Sequence, residues 1–221
     1  MQTYLTTAAP VPFAPGNVTV LADGIEGAPA PTLAAIRAAF ADLTARVQPG
    51  DFVYLHFSGH GTQAPAAHPE TELDGLDELF LPADIGAWTD DASGVTNALV
   101  DDEVGAMLDA LTPKGADVWV VFDSCHSGTV TRAAPSGDEE VRSRMLPPEA
   151  LGLTVEQMED VATRAVADPR ARPEAPVAAT GKGGHLVAFF AAQTNEQTPE
   201  RNLPRGQPGR LPQGVFTWTP P

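Results

Sequence analysis

The chain has 221 residues, with 13 Lys plus Arg against 29 Asp plus Glu, for a formal net charge of −16. That length suits one sizeable core, and that charge argues against nucleic acid and anionic membranes as partners. A single cysteine excludes an internal disulfide framework and a Cys-rich zinc site, and no apolar stretch reaches the roughly 18 residues that a membrane-spanning helix needs.

The first residues, Met1-Gln2-Thr3-Tyr4, lack the basic and apolar regions of a signal peptide. With Met1 as the true start, the expectation is a cytoplasmic protein. Residues 17–23 read as a short strand. A Pro-rich turn at 28–31 precedes a helix with Leu33, Ile36, Phe40, Leu43 and Val47 at helical spacing, and Thr32 is its expected N-cap. Pro49-Gly50-Asp51 stops that helix and opens the strand Phe52-Val53-Tyr54-Leu55-His56-Phe57, which runs into Ser58-Gly59-His60-Gly61. Strand, helix, strand is the unit of a parallel sheet. Residues 62–99 form a polar excursion too long for a simple connection, which points to function. Residues 101–111 are a predicted helix with Val104, Met107, Leu108 and Leu111 on one face. The next apolar run, Val118-Trp119-Val120-Val121-Phe122, ends in Asp123-Ser124-Cys125-His126-Ser127-Gly128. Residues 129–183 are rich in charge, Pro and Ala, with one helix-like segment near 155–166. They read as a mobile insertion in a single domain spanning 1–221. Residues 185–192 read as a buried strand, and residues 214–218 as a last one.

Two strands thus end alike, each in a glycine-flanked reactive side chain. Ligands of open parallel sheets bind beyond the carboxyl ends of the strands. If the two strands are neighbours, Cys125 and His60 meet there as nucleophile and base. A lone Cys is more often a small core hydrophobe, but His-Ser-Gly after Cys125 is turn chemistry. An imidazole beside a thiol serves both thiolate formation and protonation of the leaving group. The backbone N–H groups of Gly61 and Cys125 are placed to receive a developing oxyanion. His126 is the other candidate base; adjacent strand residues face opposite ways, which favours His60. His56 and His60 do not make a zinc pair, because that spacing needs a helix. Between residues 47 and 113 there are thirteen acids and no Lys or Arg. This is a solvated acidic surface, or a negative field near His60 that attracts cationic substrates or a divalent cation.

Four segments in order, Phe57-Ser58-Gly59-His60-Gly61-Thr62-Gln63, Asp74-Gly75-Leu76-Asp77-Glu78, Val100-Asp101-Asp102-Glu103 and Asp123-Ser124-Cys125-His126-Ser127-Gly128, resemble the successive motifs of the metacaspases. These are the caspase-like cysteine peptidases of bacteria, plants, fungi and protists. The strand at 189–193 and Gln213-Gly214-Val215-Phe216-Thr217 resemble later family segments. Asp-Ser precedes the Cys, as in metacaspases, where caspases carry Gln-Ala.

The resemblance implies an α/β, caspase-like three-layer fold, with a mainly parallel sheet flanked by helices. It implies a cysteine endopeptidase cutting protein or peptide substrates after Arg or Lys by a Cys125–His60 dyad, with no cofactor required for the chemistry. Ser58 and Asp123, each two residues before a dyad member, then line the S1 pocket, where an Asp can accept an Arg bidentately. Asp123 also reads as a turn cap. The resemblance further implies calcium as an activator, with Asp77, Asp101 and Asp102 at family ligand positions. Arg132 stands where calcium-binding members usually add an Asp, and Asp101 and Asp102 equally read as first-turn acids of a helix. For an enzyme specific for basic residues, Arg132, Arg142, Arg144, Arg164, Arg170 and Arg172 are self-cleavage candidates. Both ends read as short against the family. Met1-Gln2-Thr3-Tyr4-Leu5 resembles the middle of the first helix, and the first strand, expected beside the Phe52 strand, has no counterpart. An open sheet edge and self-association follow from that. The rival reading is a catalytically impaired caspase-like fragment that acts as a binding or regulatory module.

Overall fold

The computed structural model describes residues 1–69, 72, 74–90, 93–125, 141–167, 183–191, 198–206 and 208–218. Thr32 caps α1 (Leu33–Arg46), its hydroxyl accepting from the Ala35 N–H at 3.1 Å. The chain then turns into β1 (Phe52–Ser58). β2 (Gly61–Pro65) and β3 (Leu76–Phe80) form a hairpin, with β4 (Leu99–Val100) beside β3. α2 (Asp101–Asp109) leads into β5 (Asp117–Asp123). Beyond it come β6 (Val141–Ser143), α3 (Val155–Ala167), β7 (Leu186–Phe190), β8 (Pro199–Leu203) and β9 (Leu211–Gly214).

β1, β5 and β7 form a parallel sheet in that order, with β1 against β5 in register from Phe52↔Asp117 to Ser58↔Asp123. The sheets β2-β3-β4 and β6-β8-β9 are antiparallel. Alternation along each strand sends Val53, Phe57, Val118, Val120 and Phe122 to one face. There they close a core with Leu33, Ile36 and Phe40 of α1 and Val104 and Leu108 of α2. Each fully buried side chain of this kind contributes about 1.5–3 kcal/mol. The class is α/β, with a parallel sheet and flanking helices, as expected. Tyr54 and His56 point to the other face, with Phe52, Trp119, Val187 and Phe189, the last four 39–45% exposed. Among the described residues the short N-terminal segment is what reaches this face, Phe13 lying 6.2 Å from Phe52 between ring centres.

Residues 17–23 do not form the expected strand. Pro15–Asn17 make a 3-10 turn, and the chain continues without a ladder partner. Alternate residues of a parallel strand bond the same neighbour. The Asp51 carbonyl and the Gly59 N–H both reach β5, so the backbone groups of Phe52, Tyr54 and His56 point outward. No described residue bonds them. β7 is exposed rather than a buried strand, because among the described residues it has a neighbour on the β5 side alone. Of the run at 214–218, Gly214 closes β9 and residues 215–217 form a turn after it rather than a strand.

Residues 141–167, expected inside a mobile insertion, are packed. The helix expected at 155–166 is α3. Leu151 and Leu153 are buried with Ala64, Leu79, Val95 and Ala98, in a second cluster that Leu146 and Met158 border. The β2–β3 hairpin and the chain after residue 140 therefore share a core. The remainder of the insertion, 129–140 and 168–182, lies outside the described residues. No helix among the described residues is long and apolar enough to cross a membrane.

Candidate active site

The parallel pairing of β1 with β5 decides where the reactive side chains go. Ser58 and Asp123 are register partners, and the Gly59 N–H continues the ladder to the Asp123 carbonyl at 3.3 Å. His60 and Cys125 each follow that pair by two residues. Both therefore leave the same end of the sheet on adjacent chains. Cys125 is buried and His60 is exposed. The His60 carbonyl accepts from the Leu81 N–H at 3.0 Å, which ties the Gly-His-Gly turn to the chain after β3. A side chain on Gly59 would press on the Phe80 ring at 3.0 Å, so glycine is what lets this turn lie flat on β3. His126 lies outside the described residues.

Asp123 is fully buried. Its Oδ2 accepts from the Thr217 N–H at 3.1 Å and from the Thr217 hydroxyl. Gly214 of β9 lies so close that a Cβ there would sit 2.3 Å from the Asp123 carboxylate. Facing this carboxylate is Arg144, whose side chain is 7% exposed. Its Nη1 donates to Ser58 Oγ at 2.7 Å and to the Asp123 carbonyl at 2.6 Å, and lies 3.7 Å from Asp123 Oδ1. Its Nη2 lies 3.4 Å from Glu200 Oε2. The backbone of Arg144 is held as well. Its N–H donates to the Thr198 carbonyl at 3.0 Å, and its carbonyl accepts from the Gly61 N–H at 3.0 Å. Thr198, itself fully buried, donates its hydroxyl to the Ser124 carbonyl at 3.1 Å.

Ser58 and Asp123, expected together, are together, and a guanidinium lies between them. Arg144 was foreseen as one of several self-cleavage candidates in a mobile insertion, and its burial was not. Glu200, Thr198 and Thr217 were missed altogether. The signal that pointed toward Thr217 was the Gln213–Thr217 segment, which the sequence marked without assigning its residues.

The acids between residues 47 and 113 are largely tied to backbone. Asp84 accepts from the Leu33 N–H at the start of α1, Asp51 from Gln48, and Asp90 from Ser93. Glu103 pairs with Arg37 at 2.5 Å. Of the expected calcium ligands, Asp77 accepts from the Ala67 N–H at 3.3 Å and Asp101 from the Glu78 N–H at 3.2 Å, while Asp102 is exposed on α2. Among the described residues no three His, Cys, Asp or Glu side chains gather to hold a metal.

Comparison with known proteins agrees with the order of the motifs. The family description "Metacaspase, peptidase C14 domain" matches residues 2–134. The chain belongs to the metacaspase family. Metacaspase-4 of Arabidopsis thaliana is 37% identical over 116 residues, 52% of this chain and 25% of that protein. Metacaspase-1 of Mycosarcoma maydis is 37% identical over 99 residues, 45% of this chain and 22% of its own length. Metacaspase-1B of Aspergillus fumigatus is 41% identical over 100 residues, again 45% of this chain and 22% of that protein. The chain thus spans about a quarter of the length of these metacaspases. A solved structure from Geobacter sulfurreducens covers 76% of this chain and 55% of its own, with a TM-score of 0.48 and 24% identity.

Proposed function

We propose that this chain is a cysteine endopeptidase that cuts on the carboxyl side of Arg and Lys. Cys125 is the nucleophile, and His60 moves the proton from thiol to leaving amine. The Gly61 and Cys125 N–H groups hold the oxyanion, while Ser58 and Asp123 receive the basic side chain. The observation that carries the proposal is the register of β1 and β5, which pairs Ser58 with Asp123 and puts His60 and Cys125 two residues beyond on adjacent chains. The pocket's chemistry agrees with the specificity. A fully buried carboxylate, the Ser58 hydroxyl and the Asp123 carbonyl are acceptors suited to a guanidinium. The test is turnover of peptides ending in Arg, Lys or Asp before a reporter. Arg and Lys peptides should be cut well ahead of Asp peptides, and both Cys125→Ala and His60→Ala should abolish turnover. Indifference to the charge before the cut would overturn the basic specificity, and no turnover of any of these peptides would favour the binding-module alternative.

The proposal extends to the open edge of β1. Its outward N–H and C=O groups pair with the same edge of a second copy, as unprotected sheet edges do. Size exclusion over a concentration series should then reveal a dimer. Tyr54→Pro, which removes an outward N–H and no bond to β5, should weaken it. A monomer at every concentration overturns this part.

A further inference from the structure

Resting on the peptidase reading above, we propose that Thr198 is a positioning residue of the oxyanion site: its hydroxyl holds the Ser124–Cys125 peptide group so that the Cys125 N–H is aimed at the oxygen of the carbonyl under attack. Thr198 is fully buried, and its Oγ1 donates to the Ser124 carbonyl at 3.1 Å. A peptide group is planar and trans, so its C=O and N–H point in opposite directions. Fixing the Ser124 carbonyl therefore fixes the Cys125 N–H at the other end of the same plane.

The end of β5 gives that N–H its direction. The Phe122 carbonyl accepts from the Ala191 N–H at 2.9 Å, on the β7 side. The Asp123 carbonyl accepts from the Gly59 N–H at 3.3 Å, on the β1 side. Continued alternation turns the Ser124 carbonyl away from β1, where Thr198 meets it, and turns the Cys125 N–H toward β1. His60 and Gly61 leave the sheet on that side, and Gly61 bears the other N–H assigned to the oxyanion. A hydrogen bond to the carbonyl also polarises the peptide group and strengthens its N–H as a donor. The gain is largest as the Cys125 sulfur adds and the carbonyl electron pair moves onto oxygen, because donors fixed in advance favour that charge over the neutral substrate.

Thr198 is built to hold one orientation. Pro199 follows it, and a residue before proline is confined to extended backbone. Its β-branched side chain has few rotamers. Its own carbonyl accepts from the Arg144 N–H at 3.0 Å, and the Pro199 carbonyl accepts from the Val215 N–H at 3.2 Å. β8, which begins at Pro199, is paired on both sides, with β6 and with β9. The hydroxyl is thus carried at the head of a strand braced on both flanks. A buried carbonyl needs a donor in any fold. A bond that serves the fold alone would, when lost, lower stability; a bond that aims the Cys125 N–H also slows the chemical step in molecules that stay folded.

The experiment compares wild type, Thr198→Val and Thr198→Ser in the full 221-residue chain, each below its melting temperature. Thr198→Val keeps the shape and removes the hydroxyl. It should lower kcat on an Arg-reporter peptide by about tenfold with KM little changed, short of the about 10²–10³ lost when an oxyanion donor itself is removed. Thr198→Ser should recover most of that loss. A peptide ending in an arginine aldehyde, which Cys125 converts to a tetrahedral adduct, should inhibit Thr198→Val less well by the same factor as kcat/KM falls. The corresponding alcohol, with no carbonyl to attack, should bind both proteins equally. Should Thr198→Val fail to fold, Thr198→Ala leaves room around the Ser124 carbonyl and carries the same comparison. A folded variant without the hydroxyl that keeps the wild-type kcat, or changes KM alone, overturns the inference and leaves the peptidase reading intact, as does a Thr198→Ser no better than Thr198→Val. No turnover of the Arg peptide by folded wild type overturns the peptidase reading itself, and the inference with it.

Discussion

The middle of β1 and β5 and the carboxyl ends of the same strands are built to opposite rules. The apolar layer that fills the middle runs as far as the penultimate position of each strand, where Phe57 stacks on Phe122 with ring centres 5.0 Å apart, and meets Phe40 and Phe80 at 6.2 Å and 5.4 Å. Nothing polar interrupts that layer on the helix-covered face. One residue further along, a carboxylate and a guanidinium are buried against each other. Burying charge is costly even when it is paired, and apolar residues of the same volume often serve stability as well or better. The contrast teaches that the middle holds the fold, while the ends keep an arrangement that stability alone does not call for.

Substitutions can break this division, and the largest effect is expected at the ends. Cys125→Ala should reduce Arg-peptide turnover to background, a drop of at least about a thousandfold, while shifting unfolding free energy by no more than about 1 kcal/mol. Phe57→Ala should do the reverse, lowering stability by about 3–5 kcal/mol, with turnover per folded molecule preserved well below the melting temperature. Denaturant titration alongside kinetics checks both. Equal losses of stability in the two variants would erase the division.

Asp123→Asn tests the boundary between the two regions. The amide still accepts from Thr217 but turns a dipole, not a charge, toward Arg144. Leaving the buried guanidinium short of its counter-charge should cost on the order of 1–3 kcal/mol. Discrimination between Arg and uncharged substrates should shrink at the same time. A stability loss with unchanged discrimination would assign Asp123 to the fold rather than to the pocket.

What could be read in advance follows the same line. α1 with its Thr32 cap, β1, α2 and β5 are written in local periodicity, so their bounds were legible. The pairing of Ser58 with Asp123 was legible because both precede a glycine-flanked reactive residue by two positions. Arg144 was not, since its contacts with Asp123 and Ser58 span 21 and 86 positions of sequence. Thr217 reaches Asp123 across 94. No window of periodicity joins such residues. The strand expected at 17–23 failed for the complementary reason: its composition suits a strand, but a ladder needs a partner, and among the described residues nothing pairs with the outer edge of β1. The acidic run was legible as charge, while the use of Asp84, Asp51 and Asp90 as caps depends on backbone turns that composition does not specify.

The smallest expected effect lies in the middle of β1, on the face away from the helices. His56 stands beside Tyr54 there, its Nε2 buried without a hydrogen bond. Burial disfavours the imidazolium and holds the His56 pKa below its ordinary value of 6.5. The attraction of Asp123 opposes this shift, while the chain N-terminus and Arg144 add to it. The sign follows from proton counting. As pH falls through about 6.5 the unfolded chain takes up a proton that the folded chain refuses, so stability declines until the folded His56 titrates in turn. Other groups titrate over the same range, so the informative quantity is a difference. Denaturant midpoints of wild type and His56→Gln, measured between about pH 7.5 and pH 5, should diverge with wild type losing more as the solution is acidified. Parallel curves would mean that His56 is as easily protonated in the fold as out of it, and that the middle of β1 is wetter than its burial implies.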